Sequence, residues 1–117
     1  MGHEQLNVLV IDDDESVRDL LAEIIAGAEH QVVTATSAEE ALELLPYWTF
    51  QVAFIDHNLP GMDGLVLGEY LRRSNPDMTL ALLTGDDDRQ LERKSRDLAM
   101  VHLTKPFEIG DIVATIA

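Results

Sequence analysis

The strongest constraint on this fold is a repeated alternation: short apolar runs without polar alternation, each followed by a segment of helical spacing. LNVLVI (6–11) reads as a strand buried on both faces, which is how strands of a parallel sheet read. Behind it Val17, Leu20, Leu21, Ile24 and Ile25 recur at i, i+3, i+4, i+7 and i+8, the stripe of an amphipathic helix, with Gly27 near its end. QVVTA (31–35) predicts a second strand. Ser37-Ala38-Glu39-Glu40 forms a capping box that opens a helix through Leu45, stopped by Pro46. QVAFI (51–55) is a third strand, followed by a helix from Gly64 to Arg73 with Asp63 as its N-cap. MTLALL (78–83) is a fourth strand. The charged segment 87–98 predicts a helix with few apolar anchors, mainly Leu91 and Leu98. MVHL (100–103) is a short fifth strand, and a last helix carries Ile109, Ile112, Val113 and Ile116 on one side.

Five such units imply an α/β fold, a parallel sheet with helices on both faces and right-handed crossovers. A chain of 117 residues with 46% apolar content fits one domain with one core, residues 1–117. In such sheets the active crevice lies beyond the carboxyl ends of the strands, where the strand order reverses.

The polar residues at those ends are unusual. Asp12, Asp13, Asp14 and Glu15 follow the first strand without a break. At about 5 Å and an effective dielectric near 20, each close pair of like charges costs roughly 3 kcal/mol. Asp14 and Glu15 suit a solvated helix start, and Asp86 to Asp88 read the same way. Asp12 and Asp13 are different, because Asp56 follows the third strand, Thr84 the fourth and Lys105 the fifth. The three aspartates converge as hard oxygen ligands, the chemistry that Mg²⁺ or Mn²⁺ selects. A divalent ion and Lys105 would offset the repulsion. One carboxylate in such a site can act as a nucleophile for phosphoryl transfer. The ion, Lys105 and the Thr84 hydroxyl would each take one equatorial oxygen, and the small Gly85 leaves room for the incoming group.

The set IDD (11–13), IDHNLPGMDG (55–64), LLTG (82–85) and LTKPF (103–107) resembles the receiver domain of two-component response regulators, in order and spacing over essentially the whole chain. The resemblance implies a flavodoxin-like doubly wound sheet of strand order 2-1-3-4-5 with five helices. It implies Asp56 as phosphoacceptor and Asp12 and Asp13 as the acidic metal-binding pair, with the backbone carbonyl of Asn58 as a further ligand. Thr84 corresponds to the switch hydroxyl, Lys105 to the phosphate-pairing lysine, and the Lys105-Pro106 bond is expected to be cis. Asn58 and Asp86 stand where the family tunes hydrolysis of the aspartyl phosphate; both are small and polar, so a short-lived phosphorylated state is expected. The implied partners are a histidine kinase or phosphotransfer protein, and a downstream protein or output domain on the face of helix four, strand five and helix five.

Two positions depart from the family pattern. His102 stands where Tyr or Phe is usual, and Leu98 where Gly is usual. Two readings are open for His102: it fills the space behind Thr84, which burial allows only for the neutral imidazole, or it stays on the surface and the fourth helix alone carries the change. Gly61 and Gly64 read as turn geometry, and Tyr47 and Trp48 as packing or surface. His3, His30, His57 and His102 are too scattered for a histidine metal site.

Other functions fit less well. Asp12-Asp13-Asp14 contains the Asp-x-Asp pair of haloacid-dehalogenase-like phosphatases, which would make Asp12 the nucleophile. The chain is short for that family and has no acidic pair after the lysine motif. A flavodoxin needs a Ser-, Thr- and Gly-rich phosphate loop where this chain has four acids. The net charge of −14 disfavours binding of nucleic acid by this chain alone and of anionic lipid. No apolar run reaches membrane-spanning length, MGHEQLN has no signal-peptide pattern, and there is no cysteine, so a cytoplasmic location is expected. A chain ending at Ala117 fits a stand-alone receiver or a piece of a longer protein.

Overall fold

A computed structural model describes residues 4–85 and 89–117. The chain runs β1 (Asn7–Ile11), α1 (Glu15–Gly27), β2 (Gln31–Ala35), α2 (Ala38–Leu44), β3 (Val52–Asp56), α3 (Gly64–Ser74), β4 (Thr79–Thr84), α4 (Arg89–Asp97), β5 (Val101–Thr104) and α5 (Ile109–Ile116). All strand pairs are parallel, in the order β2-β1-β3-β4-β5. The order reverses between β1 and β3, so the crevice opens beyond their carboxyl ends.

Strand alternation feeds two apolar layers. Leu9, Ile11, Ile55, Leu80 and Leu82 face α2, α3 and α4, where they meet Ala41, Leu67, Leu71 and Leu91. Val8, Val10, Phe54, Ala81 and Leu83 face α1 and α5, where they meet Leu21, Ile25, Ile112 and Ile116. Both faces of the central strands are thus closed to water, which is why their sequences lack polar alternation.

Some local details differ from the sequence expectation. Pro46 does not end the second helix directly: α2 stops at Leu44, and Pro46 lies in a 3₁₀ turn over Leu45–Tyr47. A proline is tolerated in the first turn of such a helix, where its missing N–H needs no partner. Ser37 caps α2 through Glu40 N–H, as expected, while the Glu40 carboxylate accepts from Thr36 Oγ1. The last helix buries only half of its apolar stripe: Ile112 and Ile116 are buried, but Ile109 and Val113 are 63% and 43% exposed. The α1 side of the sheet covers an arc narrower than that stripe.

The helix ends also differ. Gly27 is the last residue of α1, and the left-handed position belongs to Glu29 (φ 67°), whose N–H reaches Ala26 while His30 N–H reaches Ile25. Ala99 (φ 54°) plays the same part after α4, with Met100 N–H donating to Ser95. These are Schellman ends built without glycine. Each non-glycine residue there carries a steric cost of roughly 1–2 kcal/mol. Glu29→Gly and Ala99→Gly are each expected to stabilise the fold by up to about 1 kcal/mol in urea unfolding. Gly27→Ala should also stabilise, by about 0.5–1 kcal/mol, because a Cβ there would meet nothing within 4 Å. A loss of stability on Gly27→Ala would return the left-handed position to Gly27.

Candidate functional site

Strand ends deliver the site. Ile11 lies opposite Ile55 in the β1–β3 register, so the residues that follow them, Asp12 and Asp56, leave the sheet side by side. Asp56 pairs with Leu83, which places Thr84 one residue beyond it on β4. Thr84 pairs with Thr104, and Lys105 follows, its N–H donating to the Thr84 carbonyl at 2.7 Å. The Lys105-Pro106 peptide bond is cis.

Asp12, Asp56 and Thr84 are buried, and Asp13 is exposed. Carboxylate oxygens of Asp12, Asp13 and Asp56 lie within 4.8 Å of one another, the only group of this kind with metal-holding potential among the described residues. No histidine joins it. Lys105 Nζ donates to Asp12 Oδ2 at 2.9 Å and to Asp56 Oδ1 at 3.3 Å. Asp14 N–H donates to Asp12 Oδ1 at 2.9 Å, so both oxygens of Asp12 are engaged. Asp14 also caps α1 through Ser16 N–H, the helix-start role expected of it.

The loop after β3 is held tightly. Gly64 N–H donates to the His57 carbonyl, and Asn58 bridges to Asp63, which caps α3 through Leu65 N–H. A Cβ on Gly64 would overlap the carbonyl oxygen of Asp56, so only glycine lets α3 start this close to the strand. Gly61 takes a φ of 78° in the same loop. Both glycines serve geometry. At Gly85 an added Cβ would meet nothing within 4 Å among the described residues. Asp86 lies outside the described residues.

Two features escaped the sequence. Arg18 Nη1 donates to the backbone carbonyl of Asp12 at 2.8 Å. Its signal was its isolation, since it is the only Lys or Arg before Arg72. Ser95, fully buried on α4, places its Oγ 3.4 Å from His102 Nδ1. A small polar residue in an otherwise apolar helix stripe was the available clue.

Electrostatics sets the charge states. Burial raises the Asp56 carboxyl above its ordinary 3.8, the Asp12 charge raises it further, and Lys105 and a backbone hydrogen bond from Asn58 oppose them without cancelling. Burial lowers the Lys105 ammonium, but its hydrogen bond to Asp12 and the charges of Asp12 and Asp56 outweigh that and raise it above 10.5. Lys105 is therefore a cation throughout the neutral range.

The chain matches the response regulator receiver domain family over residues 8–117. It is 35% identical over 112 residues to the response regulator protein FleR of Pseudomonas aeruginosa, and 34% identical over 110 residues to the transcriptional regulator NtrC of Escherichia coli. These matches cover 94% and 93% of this chain but 24% of each relative, so the chain spans about a quarter of their length. Sporulation initiation phosphotransferase F of Bacillus subtilis is 26% identical over 106 residues, covering 90% of this chain and 86% of that protein. A CheY-like receiver domain from Methanospirillum hungatei superposes with a TM-score of 0.89 at 25% identity, over 97% of this chain and 91% of that one. CheY4 of Vibrio cholerae shares the fold, with a TM-score of 0.86 at 24% identity and 97% coverage of both chains. The fold and site define a signalling domain of the flavodoxin-like α/β class. The chain belongs to the response regulator receiver domain family of two-component systems. The phosphatase alternative finds no support among these relatives.

The raised Asp56 carboxyl has a consequence for stability. The fold favours the protonated form, so the stability linked to Asp56 is fully present below the unfolded value. It is lost as pH rises through the raised folded value. Asp56→Asn is therefore expected to raise the urea midpoint at pH 7 in the absence of divalent ions, with the gain shrinking toward pH 4. An asparagine variant less stable than wild type at pH 7 would mean that Asp56 contributes more through Lys105 than its burial costs.

Proposed function

We propose that Asp56 accepts a phosphoryl group from a phosphohistidine on a histidine kinase or phosphotransfer protein, in a reaction that needs Mg²⁺ or Mn²⁺. The observation that carries this is the convergence of Asp12, Asp13 and Asp56, with Lys105 paired to Asp12 and Asp56. Three hard carboxylate oxygens within 4.8 Å suit a small divalent ion. Asp12, Asp13 and Asp56 would hold it, with the backbone carbonyl of Asn58 as a further ligand, and it would supply charge neutralisation at the transferring oxygens.

The chain's own residues do the rest. Lys105 and the Asn58 N–H bind the Asp56 carboxylate, and one of its oxygens would attack phosphorus. The O–P bond forms as the bond from phosphorus to the donor imidazole breaks, and the imidazole leaves with that electron pair. Lys105 and the Thr84 hydroxyl then bind oxygens of the new aspartyl phosphate. Asp12 is the weaker candidate for the nucleophile, because it is fully buried and holds the Lys105 ammonium closer, at 2.9 Å against 3.3 Å for Asp56.

The switch reading rests on His102. Ser95 gives its one hydroxyl proton to the Glu92 carbonyl at 2.9 Å, so its contact with His102 calls for a proton on Nδ1. Phosphorylation would draw Thr84 toward Asp56 and shift α4 through this contact. That would change the α4–β5–α5 face offered to a downstream protein or output domain. Asn58 and Asp86 would tune hydrolysis. Among the described residues no helix is long and apolar enough to cross a membrane; a cytoplasmic location, a single domain over 1–117 and no nucleic-acid binding by this chain alone complete the proposal.

Incubation with acetyl phosphate and Mg²⁺, followed by intact-mass and peptide mass spectrometry, tests the assignment. One phosphoryl group on Asp56 is expected, absent without divalent metal and absent in Asp56→Asn. Labelling that survives Asp56→Asn and disappears in Asp12→Asn would transfer the nucleophile to Asp12.

A further inference from the structure

Asp13 raises a question that the metal site leaves open. Asp12 is held at four points: its N–H donates to Ala35 at 3.1 Å, its carboxylate oxygens take Asp14 N–H and Lys105, and its carbonyl takes Arg18. Asp13 is exposed and, among the described residues, its side chain has no hydrogen bond or ion pair. Yet its carboxylate lies within 4.8 Å of those of Asp12 and Asp56. Four acids in sequence would splay toward water unless something aims them.

Arg18 supplies that constraint. Its guanidinium meets the Asp12 carbonyl at 2.8 Å, and that carbonyl belongs to the peptide plane joining Asp12 to Asp13. The peptide unit is rigid, so gripping its oxygen fixes one flank of Asp13, while Asp14 N–H on Asp12 Oδ1 at 2.9 Å holds the peptide on the other flank; with both planes held, the direction of the Asp13 Cα–Cβ bond is set. The placement is otherwise unfavourable. Arg18 lies in the first turns of α1, where the helix dipole disfavours a cation. Among the described residues its guanidinium pairs with no carboxylate, although Asp13, Asp14, Glu15 and Asp19 are near in sequence. A cation among acids that binds a carbonyl instead is being used for its geometry.

We infer that Arg18 is a positioning residue: it locks the Asp12–Asp13 peptide plane and so aims Asp13 into the divalent-cation site. This rests on the metal site proposed above and adds a residue that touches neither the ion nor the phosphoryl group.

Charge and positioning predict opposite signs. Deleting a cation beside a cation site should tighten Mg²⁺ binding on charge alone. Releasing Asp13 should weaken it, by about tenfold if Arg18 behaves as other residues that orient metal ligands. Mg²⁺ titration by calorimetry, at low and high NaCl, compares wild type, Arg18→Met, Arg18→Lys and Asp13→Asn. The expected order of affinity is wild type, then Arg18→Lys, then Arg18→Met. Lysine keeps one donor on a flexible stem in place of the planar fork. The loss should persist at high NaCl, where an effect of charge is screened. Should Arg18→Met fail to fold, Arg18→Lys carries the test, and an affinity equal to or tighter than wild type overturns the proposal. Unchanged or tighter binding by Arg18→Met, with weakened binding by Asp13→Asn, overturns the role of Arg18 alone. Unchanged binding by Asp13→Asn removes the metal site, and the role of Arg18 with it.

Discussion

One ammonium between two buried carboxylates organises this protein. Lys105 at 2.9 Å from Asp12 and 3.3 Å from Asp56 offsets much of the repulsion between two acids that the sheet register forces side by side. Without it, the two carboxylates would have to protonate or move apart. It can do this only because β5 reaches the same end of the sheet as β1 and β3, and only a parallel sheet brings those three ends together. The fold and the site are thus one constraint. The apolar layers on both faces fix the register, and the register fixes the distance between charges.

The balance is incomplete. Three carboxylates face one lysine, and the Asp56 carboxyl is still raised by burial and by Asp12. A site left short of positive charge is prepared for a cation, and a divalent ion fits its hard oxygen donors.

The sheet was legible in the sequence because its central strands bury both faces, so LNVLVI and QVAFI cannot be read as half-exposed strands. The site was legible because acids, a threonine and a lysine each follow an apolar run. What stayed hidden depended on backbone conformation or on long side chains. Gly27 marked the end of α1 but not the left-handed residue, because Glu29 tolerates that conformation at a cost. The stripe of α5 was visible, but not how much of it the sheet side could cover. Arg18 acts through a hydrogen bond to a backbone carbonyl and Ser95 through contacts with the Glu92 carbonyl and the His102 imidazole, partners that the spacing of apolar residues does not name.

Where the sequence departs from its family, the structure shows a compensation. With Leu98 in place of the usual glycine, α4 ends on Ala99 in the left-handed region. Arg72 secures that turn by donating to the Leu98 and Ala99 carbonyls, while the same guanidinium also holds Pro76 and Met78. One end of α4 is thereby pinned to α3 and β4. Only Leu91 and Ser95 are buried along the helix between its ends.

The most direct test is whether a divalent cation completes this charge balance. Urea unfolding in MgCl₂ and in NaCl of matched ionic strength separates specific binding from screening. The account requires a higher midpoint in MgCl₂ than in NaCl, with the difference abolished by Asp13→Asn. Equal midpoints in the two salts would contradict it.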